Sequence, residues 1–465
     1  MTSSPSTRGF WTLSLILVGV LAIAATALGF VGAGRGPDLV SASITLERTV
    51  VAGSQPLVLS GRQPLEEVAP EQVTITPATE FTVETRDAQI VVRFLRPLAY
   101  GTEYTVTIAD VRSRHTHVST QWQHSFATPG YAVYSLVTRG PGTFGADDQV
   151  VRTTPGGDAV AVLATPGIED FTVVDGAVVA VVRHSDLETQ LVASAGADAD
   201  LMTLETPEGT ALGLLQGSAE QRMIGYTAVG AATEGERFYD NTLFLQDMAD
   251  VSQPPVEITR PDGSELIVID WGFVPGTRSL VVQDEENQFY LKGFAPAAAL
   301  TPLGSHDQLL GFLPGTPTLV VLKGTDEAML DLALGRSTPL PPPGDAGDTD
   351  LLAGERTMIS PTEWVQQFDE ISYENDAAYI ISRLEHTRDG NRATVATVPP
   401  DLGRLLATGV SGNGQYAWTQ VLDVEAPRDD LTSGATDNTI TVVIDLATGE
   451  SRFAVPGAHP LWVTE

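Results

Sequence analysis

The 465 residues contain no cysteine. Disulfides, thiol catalysis, iron–sulfur clusters and cysteine-ligated zinc are therefore excluded, as is a lipid anchor on an N-terminal cysteine. Lysine is almost as scarce, occurring only at Lys292 and Lys323. Lys and Arg together number 26 against 59 Asp and Glu, a formal net charge of −33. Phosphate backbones are held by clustered basic side chains, so no nucleic-acid partner is expected. An anionic wall polymer would also be repelled unless divalent cations bridged the two charges. Catalytic signatures are missing too. There is no Walker A loop, no H-E-x-x-H and no dinucleotide fingerprint. The nearest approach to a G-x-S-x-G elbow, "GVSGNG" from Gly409, has Asn413 where glycine is required. No catalytic residue is assigned, and the chain does not read as an enzyme.

Glycine (44) and proline (30) are plentiful. Both punctuate turns and end helices, so many short strands are expected, an all-β chain. Its length exceeds that of one ordinary core, and two or more domains are expected.

The one long apolar run is N-terminal. Between Arg8 and Arg35 no charged residue occurs. A helix over 10–31 would rise about 33 Å at about 1.5 Å per residue, enough for a hydrocarbon core of about 30 Å. Trp11 stands at the near edge, where indoles favour the interface, and Gly32, Gly34, Gly36 and Pro37 end the helix. A transmembrane anchor over 10–34 is expected, with residues 1–9 as a cytoplasmic tail and the acidic remainder outside. "ATA" at 25–27 offers an alternative cleavage site, but the apolar run continues past it.

From 38 to 130 the pattern is alternation. In "EYTVTIADV", Tyr104, Val106 and Ile108 share one face and Thr105, Thr107 and Ala109 the other, as in a half-buried strand. Six or seven such runs predict a β-sandwich. "VTITPA" (73–78), "RPLAYGTEYTVTI" (96–108) and "HSFATP" (124–129) resemble the Ig-like module of bacterial surface and cell-wall proteins. That resemblance implies a spacer or adhesion module.

Two phrases recur in the remainder, "GFVPGTRSLVV" from Gly272 and "GFLPGTPTLVV" from Gly311. Each opens a unit of strand, Pro-Gly turn, strand, acidic turn, strand and closing strand. Four strands in about 40 residues is the size of one propeller blade. Looser copies begin near Asp170, Asp369 and Gly409. "SGNGQYAW" (411–418) and "IDLATGE" (444–450) are similar to the S-P-D-G … d-l-x-t-G signature of TolB-type and WD40-like propellers. Gly412 stands for the signature's proline and Asn413 for its aspartate. Seven units are counted over 131–465, with six as the alternative. The first unit looks one strand short, and "HPLWVTE" at the C-terminus resembles an opening strand, so the two chain ends are expected to share a blade. The Leu-Val-Val runs are expected as buried second strands. The acidic turns "QDEEN" (283–287) and "KGTDE" (323–327) are expected as solvent-facing tips.

Candidate ligands are few. His115, His117 and His124 lie close in sequence, but on a continuous strand they would face opposite sides. His184, His306, His386 and His459 are scattered among blades near strand ends or turns. Asp345, Asp348 and Asp350 in "GDAGDTD", with Asp198 and Asp200 in "GADAD", offer oxygen ligands of the kind Ca²⁺ takes, without the twelve-residue spacing of an EF-hand. The histidine trio could hold zinc or nickel, and calcium at these aspartates is the one cofactor carried forward as an expectation. Long segments at 339–350 and 425–438 interrupt the repeat, and binding usually resides on such loops. The expected role is a membrane-anchored binding or scaffold protein of a bacterial envelope, taking a protein or wall component. The alternatives are a glycan hydrolase or lyase with a site in the propeller channel, and an accessory sensor or assembly factor of a membrane complex.

Overall fold

The computed structural model describes residues 36–465 apart from 116–117, 139–146, 186–187, 197–199, 232–236, 296–297, 343–350, 375–376, 399–402 and 423–438. The apolar segment 10–34 lies outside the described residues. Among those described, no helix is long and apolar enough to cross a membrane. The chain divides into two compact units with the main break after Thr128.

The first unit is a two-sheet sandwich. One sheet runs Leu39–Ser43, Gln55–Gly61, Gln89–Phe94, Phe81–Arg86, and the other runs Val73–Thr76, Glu103–Arg112, Ser119–Ala127. Alternation along each strand sends one set of side chains inward. Leu57, Leu59, Ile90, Val92 and Phe94 of one sheet meet Val106, Ile108, Trp122 and Phe126 of the other in one core. The Trp122 indole N–H donates to the Pro37 carbonyl at 2.6 Å, so the incoming chain is tied to the core.

The second unit holds seven four-stranded antiparallel sheets among the described residues. Six are simple meanders, and we number them as blades. Blade 2 is Ile168–Val174, Ala177–Arg183, Thr189–Ser194 and Met202–Thr203. Blade 3 is Thr210–Ser218, Met223–Gly230, Tyr239–Asp247 and Val256–Glu257. Blade 4 is Val268–Phe273, Ser279–Asp284, Gln288–Gly293 and Leu300–Ser305. Blade 5 is Gln308–Phe312, Thr318–Lys323, Asp326–Asp331 and Arg336–Pro339. Blade 6 is Leu351–Ser360, Glu363–Glu374, Ala377–Arg388 and Asn391–Val398, and blade 7 is Arg404–Val410, Tyr416–Leu422, Thr439–Asp445 and Glu450–Pro456. Blade 1 takes Tyr131–Val137, Asp148–Thr153 and Ala159–Thr165 from one end of the unit and Ala458–Thr464 from the other. The last strand pairs with the first, Trp462 opposite Val133 and Val463 opposite Ala132, and this closes the ring. Ser135 Oγ donates to the Pro456 carbonyl at 2.7 Å and the Arg152 guanidinium pairs with Glu465, so side chains reinforce the closure. A ring of radially stacked sheets leaves only short, protected edges.

The second strands of blades 2, 4 and 5 are covered on both faces by neighbouring blades and lose polar alternation, as sheets buried on both sides do. Val178 to Val182, Leu280 to Val282 and Leu319 to Val321 are all buried. The turns after two of these strands differ from the sequence expectation. Asp284 is fully buried. Its carboxylate accepts the Glu286 and Gln288 backbone N–H groups at 3.0 and 2.9 Å, which folds the turn back on itself. Gln283 is buried as well, its amide reaching the Asp307 carbonyl at 3.1 Å. Glu327 is also withdrawn from solvent. It takes Arg356 of blade 6 at 2.9 Å through Nε, with side-chain exposures of 9 % and 0 %. In the first run only Glu285 and Glu286 are solvent-facing, whereas in the second Lys323 to Asp326 form an exposed tip and only Glu327 turns inward. Gln283 and Asp284 belong to turn geometry, and Glu327 to the junction between blades.

Candidate functional site

With Ala458–Thr464 taken as the first strand of blade 1, first strands neighbour one another from blade 1 through blade 5 and from blade 6 to blade 7, and they line the central channel of the ring. All seven carry a bulge toward one end, the end where each first strand begins. The extra residues fall between Ile168 and Asp170, Gly213 and Gln216, Val268 and Asp270, Leu309 and Gly311, Ala353 and Arg356, Leu405 and Ala407, and Ala458 and Leu461. A bulge leaves residues without a ladder partner and re-aims their side chains, which is why bulges gather at barrel rims and functional sites.

On blades 2 and 4 an aspartate directly follows the bulge. Asp170 Oδ1 accepts the Phe171 backbone N–H, and Asp270 Oδ1 accepts the Trp271 backbone N–H, each at 2.8 Å. Both side chains are half-buried. Burial pushes the Asp170 carboxyl above the usual aspartate range, against the pull of the Phe171 and Leu215 backbone N–H groups and of nearby His459. Burial raises Asp270 too, opposed only by its own following N–H. Among the described residues, no Lys or Arg lies within ion-pair distance of either carboxylate. Perturbed carboxylates without a structural counter-cation mark candidate sites.

Beside them the bulges place exposed apolar side chains. Leu214 on blade 3 is 40 % exposed and Ile269 on blade 4 is 41 % exposed. Leu214 has φ of +47°, and His459 on blade 1 has φ of +53°. The left-handed region is disfavoured for a branched side chain and costs on the order of 1–3 kcal/mol per residue. Trp271 holds this arrangement together. Its indole N–H donates to the Leu214 carbonyl at 3.0 Å, and the Gln216 amide returns a bond to the Trp271 carbonyl at 2.6 Å. The ring itself is fully buried. It fits because residue 225 is glycine: a Cβ there would lie 2.4 Å from Trp271 Cη2. One tryptophan thus fixes both the apolar residue of blade 3 and the carboxylate of blade 4.

The residues singled out from sequence are distributed otherwise. Asp345, Asp348, Asp350 and Asp198 lie outside the described residues, as does His117; Asp200 is exposed. No metal-binding cluster occurs among the described residues. His115 sits in the turn after Glu103–Arg112, so the strand is not continuous there. His124 stacks on Phe126, ring centroids 6.2 Å apart. His184 is in a turn and His306 lies edge-on to Phe289. His386 lies near the end of the third strand of blade 6, its Nε2 2.9 Å from the buried carboxylate of Glu363, which also takes Arg388. Only His459 of these four stands on a first strand at the channel mouth. Asp170 and Asp270 went unnoticed in the sequence. The signal was there in "IEDF" and "VIDW", an aspartate before an aromatic at the head of two units. The sandwich offers a small groove of about 160 Å³ lined by Glu66, Gln72, Asp110 and Arg112, below the roughly 300 Å³ at which small-molecule pockets begin.

No known protein family matches the sequence, and no curated protein does. Among solved structures, an auxiliary nutrient binding protein from Bacteroides thetaiotaomicron is 11 % identical, with 78 % of this chain and 86 % of that chain covered and a TM-score of 0.31. A TolB from Agrobacterium tumefaciens is 12 % identical, with coverages of 57 % and 94 % and a TM-score of 0.32. The WD40 repeats of RRP9 are 10 % identical, with coverages of 60 % and 94 % and a TM-score of 0.34.

Proposed function

We propose that the chain is a membrane-anchored, extracytoplasmic binding protein of a bacterial envelope, and that the channel mouth of its propeller is the binding face. The observation that carries this reading is the mouth itself. Asp170, with His459 nearby, and Asp270 stand there with no Lys or Arg of the described residues in ion-pair reach, near exposed Leu214 and Ile269. A protein interior would exclude the first pair, and an idle surface would hide the second. The anchor rests on the uncharged segment 10–34, and the Ig-like spacer on the motifs quoted for 38–130.

The test uses the full chain in native membranes. Externally added protease should digest the portion beyond residue 38 in intact cells, and the remaining fragment should stay with the membrane. Crosslinking from the channel mouth should then recover one partner that competes with excess purified protein. A cytosolic chain would overturn the placement. Hydrolysis of a wall glycan by the purified protein would overturn the non-enzymatic reading.

A further inference from the structure

We propose that the long hairpin of blade 6 is a docking arm for a basic, apolar-faced segment of a partner polypeptide. The arm stands on a different blade from Asp170 and Asp270 and depends on neither.

Length sets this hairpin apart. Its strands, Glu363–Glu374 and Ala377–Arg388, have 12 residues each, whereas the second strands of blades 4 and 5 have 6. In blades 2, 4 and 5 the second strand ends within one residue of the position opposite the start of the first strand. In blade 6 that start, Leu351, stands opposite Glu370, and pairing of the hairpin continues to Glu374 opposite Ala377. The hairpin thus runs past its first strand by about 13 Å, at about 3.3 Å per residue, at the channel-mouth end. The outer strand reaches only to Val398, opposite Ser382. Beyond these points the hairpin is a two-stranded ribbon among the described residues.

Register gathers large apolar side chains on one face of it. Directly opposed residues of antiparallel strands share a face, as do residues two apart on one strand. Leu352 is opposite Asp369, and Ile371 is opposite Ile380. Leu352, Ile371, Tyr373 and Ile380 therefore line up with Asp369. Tyr373 is 74 % exposed, Leu352 57 % and Ile380 39 %. On the opposite face Tyr379 and Ile381 are half-buried, and Glu370 pairs with Arg383. A lone ribbon is not stabilised by holding an aromatic and two aliphatic side chains in water. A contiguous apolar strip of this kind marks an interaction site, and tyrosine is among the residues that dominate such contacts.

Charge complementarity selects the occupant. Residues 369–381 include Asp369, Glu370, Glu374 and Asp376 and no Lys or Arg. Arg383, just beyond, offsets one of these charges through Glu370. Asp369, on the apolar face, accepts Gln367 Nε2 at 3.3 Å and has no Lys or Arg of the described residues in ion-pair reach. A second copy of the chain would set the same charges against each other. Nucleic acid or an anionic lipid surface would bring phosphate to them. A segment carrying Lys or Arg beside its apolar residues matches both the strip and the charge.

The probe is a labelled amphipathic peptide of leucine and lysine, titrated against the full chain in nonionic detergent, with binding to detergent alone subtracted. A leucine–glutamate peptide of the same pattern is its companion. The lysine peptide should bind about tenfold or more tightly than the glutamate peptide. Tyr373→Ser should weaken the lysine peptide about tenfold, and Ile380→Thr should weaken it less. Both side chains are exposed, so the melting temperature should not change. Asp369→Asn should weaken binding at low salt and make no difference at high salt. Val160→Thr trims a comparably exposed side chain on blade 1 and should change nothing. Absence of lysine-peptide binding to the wild type overturns the proposal, as does equal binding of the two peptides. Unchanged binding by a folded Tyr373→Ser, Ile380→Thr double variant overturns it too. A dimer of the wild type that this double variant abolishes would overturn the choice of occupant, by seating a second copy on the arm.

Discussion

Blades 4 and 5 share the phrase Gly-Phe-x-Pro-Gly-Thr-x-x-Leu-Val-Val, yet their first strands do different things. In blade 4 the bulge skips Ile269, and the residues just before the phrase are Asp270 and Trp271. In blade 5 the bulge skips Leu310, and the matching positions are Leu309 and Leu310. Both leucines pack into cores between blades. The shared letters encode a turn and a buried second strand. What each blade shows to the channel is set by the two residues upstream, where no repetition constrains them. The junctions differ too. Blade 4 is joined to blade 3 by an indole in a glycine-lined slot, and blade 5 to blade 6 by a buried ion pair whose guanidinium also sits 5.3 Å over the Trp364 ring.

That contrast can be broken at either junction. The largest effect is expected from Glu327→Gln, which leaves the Arg356 charge buried and unpaired. Removing one partner of such a pair costs about 3–5 kcal/mol, and the thermal midpoint should fall with hydrogen exchange rising in blades 5 and 6 first. Trp271→Ala empties the other junction at a comparable cost of about 3–5 kcal/mol, with exchange rising in blades 3 and 4. A uniform rise around the ring in both variants would refute independent junctions. Gly225→Ala is a smaller push, about 1–3 kcal/mol from overpacking against Trp271 and Leu245. In the Trp271→Ala background most of that penalty should vanish, because the crowded partner is gone.

The smallest expected effect is the pH dependence that Asp270 gives blade 4 and blade 5 lacks. Burial raises the Asp270 carboxyl in the folded chain, so the folded state holds its proton to higher pH than the unfolded state. Stability from this group is therefore full below the unfolded value and declines as pH rises through the folded value. Asp270→Asn lacks the titration. Its melting temperature should exceed that of the wild type at pH 7, and the gap should close on acidification below the ordinary aspartate range. Leu309→Asn in blade 5 should show no such pH-dependent gap. A gap for Asp270→Asn that persists unchanged in acid would contradict the assignment.

The all-β character was legible because alternation and turn residues are local properties. The strand-turn-strand phrases were legible because a tight turn and a doubly covered strand each demand particular residue types. The roles of Asp284 and Glu327 were not. Both lie in acidic runs that look solvated, and only the turn geometry and the adjacent blade show them buried. The channel mouth was hidden for a related reason. A bulge shifts register by one or two residues, and sequence does not mark where the ladder slips, so Asp170 and Asp270 read as ordinary strand residues.

By itself, the order of amino acids determined an acidic, cysteine-free chain of short strands, because composition, period and turn chemistry act within a few neighbours. Tertiary structure alone decided which carboxylates would be buried, which leucine would be held exposed in a left-handed turn, and which tryptophan would join two sheets. Those outcomes depend on side chains some fifty residues apart arriving at one place, as Gln216 and Trp271 do, and local pattern carries no information about such meetings.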